Sequence, residues 1–183
     1  MPLSSQTAFN QLNLHERLLK GLEELSFDQP TEVQSAAIPA SIAGSDLYVI
    51  AQTGSGKTAA FVLPLLQRLL HDESKPLAPR GFILVPTREL ARQVVKDIDI
   101  LGKYTFLKAE LVTGGEDFKV QAARLRKNPD IVVATPGRAL EQFSAGNLDL
   151  GSVQTLVLDE ADRMLDMGFS EDVTTLANAC PEG

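Results

Sequence analysis

Short segments that are apolar at every position alternate along this chain with segments of helical periodicity, and this alternation limits the possible folds more than any other feature. Residues 48–50, 83–85 and 131–133 are such apolar segments, which are typical of parallel strands covered on both faces. Parallel strands need long crossover connections, and a helix between successive strands supplies them. The pattern therefore predicts an α/β fold, with a doubly wound, mainly parallel sheet sandwiched by helices.

The same patterns predict five strands and seven helices. The strands are expected at residues 46–51, 81–85, 109–113, 131–135 and 155–158, and the helices at residues 12–25, 31–43, 57–70, 87–101, 118–127, 137–145 and 169–177. Ligands of such sheets bind at the carboxyl ends of the strands. Functional side chains are therefore expected directly after each strand.

Length and composition fit one globular domain with one hydrophobic core. The chain has 183 residues, of which 44% are hydrophobic and 22% are charged, as in ordinary soluble domains. The single Cys180 excludes an internal disulfide, and with only two histidines it also excludes a Cys/His zinc site. No apolar run approaches the roughly 20 residues that span a bilayer, and no signal peptide is visible. We expect a reduced, cytoplasmic protein with no membrane partner.

The net charge of −7 does not exclude a nucleic-acid partner, because the charge is unevenly distributed. Residues 139–183 hold nine acidic side chains and one arginine, so the rest of the chain is close to neutral. Residues 119–138 hold five basic side chains against one acidic side chain. Overall charge therefore decides nothing about the partner.

A glycine-rich segment, Ala-Gln-Thr-Gly-Ser-Gly-Lys-Thr at residues 51–58, connects a predicted strand to a predicted helix. Glycines at such a turn let consecutive backbone N–H groups face an anion at the positive end of the helix. Lys57 then supplies a charge for the β- and γ-phosphates, and the Thr58 hydroxyl is placed for Mg²⁺. The predicted phosphate-binding residues are Thr53, Gly54, Ser55, Gly56, Lys57 and Thr58. The alternative is a glycine-rich turn with a surface lysine, and Ala51 stands where the strict motif has glycine.

A phosphate loop by itself leaves the base and the reaction open, since kinases, GTPases and DNA translocases all use one. Residues 127–130 read Lys-Asn-Pro-Asp, which is the wrong order for a guanine-binding motif. GTP is therefore disfavoured at this point but not excluded.

A second candidate site follows the last predicted strand, where Asp159, Glu160 and Asp162 come after an apolar run. An aspartate at a strand end holds Mg²⁺ in many phosphoryl-transfer enzymes, and a second acid orients the attacking water. We therefore predict Asp159 as a magnesium ligand and Glu160 as the catalytic acid-base residue. The alternative is a solvated strand end, or a helix start stabilised by acidic residues.

Together, the phosphate loop and the Asp-Glu-Ala-Asp segment resemble the first RecA-like domain of DEAD-box ATP-dependent RNA helicases. The resemblance covers nearly the whole chain, and residues 26–34 resemble the Q motif of that family. It implies that Gln34 reads adenine, that Phe9 packs on the base, and that Phe27 lies at the same site. Gln34 also fits a capping box with Thr31, and both roles can coexist.

Three further segments resemble family motifs that contact RNA. They are Pro86, Thr87 and Arg88 of motif Ia, Gly114 and Gly115 of the GG motif, and Thr135, Pro136, Gly137 and Arg138 of motif Ib. Helix N-termini and turns offer N–H groups to phosphates, and the arginines add charge-assisted bonds. Contacts of this kind carry no base information, so RNA binding is expected to be independent of sequence. The alternative for each segment is ordinary capping and turn chemistry.

By resemblance, residues 1–183 are an N-terminal RecA-like ATP-binding domain, with a Q motif region within residues 9–34, that uses ATP/ADP and Mg²⁺. The second RecA-like domain, to which Asp162 would couple, is expected to be absent, so the isolated chain should be nearly inactive. The strand that normally lies beside the acidic strand is also expected to be absent, and the open sheet would allow self-association. A nucleotide-gated RNA-binding scaffold and another P-loop NTPase remain alternatives.

Overall fold

The computed structural model describes residues 8–72, 74 and 77–182. These residues form two compact units. The first unit contains the described residues up to Asp72 together with residues 97–106, and the second contains the described residues of 74–96 and 107–182. Among the described residues, no helix combines the length and the apolar character needed to cross a membrane.

The first unit is helical, and the second is built on strands that alternate with helices. The first unit has a 3₁₀ helix at Phe9–Leu12 and the helices α1 (Glu16–Glu24), α2 (Glu32–Ile42) and α3 (Lys57–His71). Helix α4 (Arg88–Leu101) belongs to the second unit up to residue 96 and to the first unit from residue 97. The second unit has the strands β1 (Gly81–Leu84), β2 (Ala109–Val112), β3 (Ile131–Ala134) and β4 (Thr155–Leu158), and the helices α5 (Phe118–Leu125), α6 (Pro136–Ser144), α7 (Ala161–Asp166) and α8 (Ser170–Asn178).

The four strands of the second unit form one parallel sheet in the order β2-β3-β1-β4. Strand β1 pairs with β3 and with β4, and Leu84 at its end lies opposite both Ala134 and Leu158. The two inner strands, β1 and β3, are buried along their whole length, as their unbroken apolar pattern predicts. The predicted α/β fold with a parallel sheet flanked by helices is confirmed.

The core of the second unit lies between one face of this sheet and helices α5 to α8. Phe82 and Val132 on the sheet are fully buried there. The helices contribute Leu125, Ala139, Met164 and Leu176 to the same cluster. Burying side chains of this size provides about 2 kcal/mol each, so this cluster fixes the helices that follow the strands.

An ion pair between the buried Arg80 side chain and the partly exposed Asp130 joins the beginnings of the strands. Arg80 Nη2 donates to Asp130 Oδ1 at 2.8 Å, and the Arg80 side chain is only 4% exposed. The other carboxylate oxygen of Asp130 accepts the backbone N–H of Lys108, just before β2, at 2.9 Å. The backbone carbonyl of Arg80 accepts two N–H groups from the beginning of β4. These two residues therefore connect the first residues of all four strands.

The helix predicted at residues 12–25 is interrupted in the structure. The 3₁₀ helix ends where Asn13 adopts a left-handed conformation with φ of 55°. Helix α1 begins after His15, whose Nδ1 accepts the N–H of Arg17 at 3.1 Å. The boundary was missed because histidine is not among the residues preferred as N-caps. The six-residue helix α7 was not predicted either, because it is too short to show a helical period.

The strand predicted at residues 46–51 does not form, which corrects the expectation from its apolar pattern. Residues 45–52 have no regular secondary structure, and Tyr48 and Ile50 are 88% and 83% exposed. A strand needs a neighbour for its backbone N–H and C=O groups, and no described segment pairs with this one. Among the strands that the structure describes, β4 pairs only with β1. Apolar composition alone therefore did not suffice to make a strand here.

Replacing Asp130 by alanine should lower the free energy of unfolding by about 2 kcal/mol, because it removes the carboxylate that bonds with the Arg80 guanidinium and with the N–H of Lys108. Denaturant unfolding followed by circular dichroism measures this loss. The control is Glu24→Ala, which breaks an ion pair with Lys103 whose two side chains are about half exposed. Exposed pairs contribute little, so equal losses in the two variants would contradict the role given to Arg80 and Asp130.

Candidate functional site

The predicted phosphate loop lies in the first unit, directly before α3. Gly54 and Gly56 have φ of 81° and 85°, so both occupy the left-handed region that glycine adopts without strain. Helix α3 begins at Lys57, and no side chain caps its N-terminus. The first N–H groups of an uncapped helix are available to an anion. The loop therefore has the backbone conformation that its sequence predicts.

Gln34 ties this loop to the beginning of α2. Its side-chain Nε2 donates to the carbonyl of Gly56 at 3.1 Å, and its Oε1 accepts the N–H of Thr31 at 2.9 Å. The Thr31 hydroxyl accepts the N–H of Gln34, which completes the capping box. A Cβ added at Gly56 would collide with the Gln34 amide. Glycine is therefore required at residue 56 both for its φ angle and for this contact.

A cavity of about 660 Å³ in the first unit opens beside Gln34 and the loop. Phe27 lines it and is 43% exposed, whereas Phe9 is buried. The two rings stack with their centroids 6.5 Å apart and an angle of 24° between their planes. Phe9 therefore supports Phe27 from behind, and Phe27 is the aromatic side chain that faces the cavity.

The loop also fits a nucleotide phosphate chemically. The Ser55 hydroxyl is buried and has no hydrogen-bond partner among the described residues. A buried hydroxyl without a partner costs stability, and a phosphate oxygen is a suitable acceptor for it. Lys57 and Thr58 are partly exposed, and Thr53 and Gly54 are exposed. The predicted phosphate-binding residues thus lie on one short segment, in which the N–H of Ser55 donates to the carbonyl of Gln52 at 3.2 Å and its hydroxyl remains for a ligand.

The acidic segment lies in the second unit, where β4 ends. The N–H of Asp159 donates to the carbonyl of Leu84, which continues the β1–β4 pairing by one residue. Glu160 has φ of 52° and ψ of 48°, a left-handed conformation that costs a non-glycine residue about 1 kcal/mol. Asp159 Oδ1 accepts the N–H of Glu160, and Arg163 pairs with the Glu160 carboxylate at 3.2 Å. Asp162 is exposed in the first turn of α7.

Arg88 lies against the GG turn in the second unit. Arg88 is exposed at the beginning of α4, and the Thr87 hydroxyl caps that helix by accepting the N–H of Leu90. Gly115 has φ of 87°, and a Cβ added there would collide with the Arg88 guanidinium. The structure therefore brings motif Ia and the GG turn into direct contact. Pro86, which precedes them, is buried, and Gly114 is partly exposed.

Arg138 reaches the same turn from α6. Its Nη1 donates to the carbonyl of Glu116 and to Oε1 of Gln121, each at 2.9 Å, and its Nε donates to Glu141. The side chain is 15% exposed. Pro136 occupies the first turn of α6, and no side chain caps this helix at Thr135. A Cβ at Gly137 would meet no atom within 4 Å, so the N-terminus of α6 has space for a ligand.

Several residues at these sites carry little or no signal in the sequence. The wall of the cavity also includes Asp97 and Ile100, which lie on the predicted helix without any distinguishing signal. Gln121 and Gln142 are fully buried beneath the GG turn. Here a signal did exist, because a glutamine at residue 121 interrupts the apolar stripe formed by Phe118 and Leu125 on α5.

Comparison with known proteins relates most of the chain to one family. The model of the family described as DEAD/DEAH box helicase matches residues 31–182. The probable ATP-dependent RNA helicase ddx27 of Dictyostelium discoideum is 45% identical over 174 residues, which are 94% of this chain and 22% of that protein. The ATP-dependent RNA helicase SrmB of Escherichia coli (strain K12) is 48% identical over 172 residues, which are 93% of this chain and 39% of that protein.

A solved structure has the same fold. The crystal structure of a hypothetical ATP-dependent RNA helicase from Sulfolobus tokodaii superposes with a TM-score of 0.82 and 40% identity, over 91% of this chain and 47% of that chain. The present chain thus spans less than half the length of each of these similar proteins.

Replacing Gln34 by alanine should loosen the phosphate loop, because it removes the bond to the Gly56 carbonyl. Hydrogen–deuterium exchange of residues 54–60 should become faster. Thr31→Ala is the matched control, since it removes the capping bond to α2, worth about 1 kcal/mol, but leaves the bond to Gly56 in place. Faster exchange of these residues in both variants alike would show that the loop depends on capping alone.

Proposed function

Because this chain belongs to the DEAD/DEAH box helicase family, we propose that it is the N-terminal, ATP-binding part of an ATP-dependent RNA helicase. The observation that carries this proposal is the position of Gln34. One amide group contacts the phosphate loop at Gly56 and also lines the cavity beside it. This arrangement fits a ligand in which a base is joined to phosphates.

In this proposal, Lys57 and Thr58 act at the phosphates. The Lys57 ammonium neutralises charge on the β- and γ-phosphates, and the Thr58 hydroxyl is a ligand of Mg²⁺. The backbone N–H groups of Thr53, Gly54 and Gly56 surround the phosphate oxygens. Ser55 contributes its hydroxyl, because its own N–H already donates to the carbonyl of Gln52. Bound ATP and Mg²⁺ supply the reactive γ-phosphate and the charge that activates it.

The proposed selectivity for adenine rests on the hydrogen-bonding groups that Gln34 retains. Its amide uses one N–H for Gly56 and one acceptor position for Thr31, so one N–H and one further lone pair remain. A glutamine amide pairs with adenine through the N6 donor and the N7 acceptor, whereas guanine presents two acceptors at that edge. Phe27, supported by Phe9, lies against the face of the base.

Asp159 and Glu160 have the proposed catalytic roles. Asp159 is a ligand of Mg²⁺, and Glu160 orients and deprotonates the attacking water. Glu160 lies directly between the end of β4 and the beginning of α7, in a left-handed conformation. Arg163, one turn further along α7, pairs with this carboxylate and limits the positions that it can take.

RNA is proposed to bind along the second unit through its phosphates. Arg88 supplies charge, and Arg138 adds to it. The N–H groups at the GG turn and at the two helix starts supply hydrogen bonds. The residues concerned are Pro86, Thr87, Arg88, Gly114, Gly115, Thr135, Pro136, Gly137 and Arg138. Because these contacts involve no base edges, binding is independent of sequence.

A second RecA-like domain is part of the proposal, with Asp162 coupling to it. Arginines that reach the γ-phosphate contribute about 10³–10⁵ in rate, and by family resemblance they belong to that domain. Self-association is also proposed for this chain, because β4 pairs on one side only and Tyr48 and Ile50 are exposed. We propose a cytoplasmic location, in agreement with the single cysteine.

Replacing Lys57 by alanine should weaken ADP binding at least tenfold, by about 1.5–3 kcal/mol for the removal of a charge-assisted bond. Isothermal titration calorimetry with ADP and Mg²⁺ measures the change, and circular dichroism should show that the fold is retained. Lys127→Ala, at an exposed lysine of the second unit, is the control. Unchanged ADP affinity in the Lys57 variant, or equal affinity of the unmodified chain for ADP and GDP, would argue against the proposed site.

In the full-length protein, Glu160→Gln should retain ATP binding but reduce RNA-stimulated ATP hydrolysis by about 10²–10⁴-fold, because the amide cannot accept the proton. Phosphate release and nucleotide titration measure the two effects separately. Glu171→Gln, an exposed site in α8, is the control. Normal turnover in the Glu160 variant would make Asp162 the next candidate. Turnover by the present chain equal to that of the full-length protein would contradict the need for a second domain.

A further inference from the structure

Three backbone carbonyls of the turn at residues 113–118 are held by side chains from neighbouring helices. Gln121 Nε2 donates to the carbonyl of Thr113 at 2.7 Å. Arg138 Nη1 donates to that of Glu116 at 2.9 Å. Gln142 Nε2 donates to that of Phe118 at 3.0 Å. These donors lie on α5 and α6, so the GG turn is fastened to both helices.

Gln121 is the centre of this network. It is fully buried, and its Oε1 accepts from Arg138 at 2.9 Å and from Gln142 at 3.4 Å. Its Nε2 also contacts the carboxylate of Glu116 at 3.3 Å. A buried amide is stable only when its donor and acceptor are both satisfied. Gln121 meets that condition only while the turn and Arg138 keep their present positions.

The same network limits what Arg138 offers to a ligand. Its Nε bonds with Glu141, and its Nη1 bonds with two oxygens beneath the turn. These three bonds use its Nε and Nη1 and leave out its Nη2. Arg138 therefore uses most of its donors to join α6 to the turn. Arg88 is exposed, and its guanidinium lies against Gly115; no hydrogen bond from it to the turn is found among the described residues.

We propose that Gln121 is a positioning residue for RNA binding. It holds the turn at residues 113–118 and the N-terminus of α6 in one arrangement, so that their N–H groups and the Arg88 guanidinium meet phosphates of a single strand. This inference rests on the proposed function. Gln121 itself is buried and does not contact RNA.

The test compares Gln121→Met with Gln67→Met in the present chain. Methionine retains the volume and removes all hydrogen bonds. Gln67 is a matched control, because it is also buried and its amide bonds with Asn13 and His15 in the first unit. Binding of a fluorescein-labelled oligouridylate is measured by fluorescence anisotropy over a range of salt concentrations, with ADP affinity and thermal unfolding measured in parallel.

Gln121→Met should lower RNA affinity by about tenfold and leave ADP affinity within about twofold. The slope of log affinity against log salt should become less steep by about 0.7 for each phosphate that the variant no longer binds. A decrease in stability without a change in position would not alter that slope. Gln67→Met should be less stable but keep both the RNA affinity and the slope.

Unchanged RNA affinity in a folded Gln121→Met chain would overturn the inference and leave the proposed function in place. Equal decreases in the RNA affinity of Gln121→Met and Gln67→Met would have the same consequence. If Gln121→Met does not fold, Gln142→Met replaces it in the comparison, because Gln142 bonds with both Phe118 and Gln121. Unchanged RNA affinity of the Gln142→Met variant would also overturn the inference. An unmodified chain that binds ADP but no oligouridylate would remove the RNA part of the proposed function, and the inference with it.

Discussion

The ion pair between Arg80 and Asp130 is the constraint on which the second unit depends. Its cost is high, because a guanidinium that is 4% exposed has left water. That cost is offset by the carboxylate and by the backbone bonds that the same two residues make to the beginnings of β2 and β4. Strands β1 and β3 are buried at every position, so their apolar side chains alone do not define how far one strand is shifted along the other. A charged pair with directional hydrogen bonds does.

Once the strands begin together, their carboxyl ends also coincide, because all four have the same length. Val112 lies opposite Ala134, which lies opposite Leu84, which lies opposite Leu158. The next residues along the chain are those of the GG turn, motif Ib, motif Ia and the acidic segment. Their common position at one edge of the sheet therefore follows from register, and no long-range contact between the motifs is needed to explain it.

The sequence was most informative where the structure is locally determined. The capping box at Thr31 and the strands β1 and β3 depend on residues close in sequence or on unbroken apolar composition, and these formed as predicted. The strand expected at residues 46–51 depends on a partner that composition does not reveal, and it did not form. Gln121 was missed because its importance lies in donors and acceptors contributed by residues 113–142, which only the folded chain brings together.

At two glycines the backbone conformation and a contact with a site residue both require the absence of a side chain. Gly56 and Gly115 are both left-handed, and each lies directly against a side chain with a proposed ligand role, Gln34 in one case and Arg88 in the other. A larger residue would strain the backbone and also displace that side chain. At both positions the missing Cβ leaves room for the neighbouring side chain, Gln34 or Arg88. A buried amide is also hydrogen-bonded to the backbone of each turn, Gln34 to Gly56 and Gln121 to Thr113, so each glycine-containing turn is held by a side chain from a neighbouring helix.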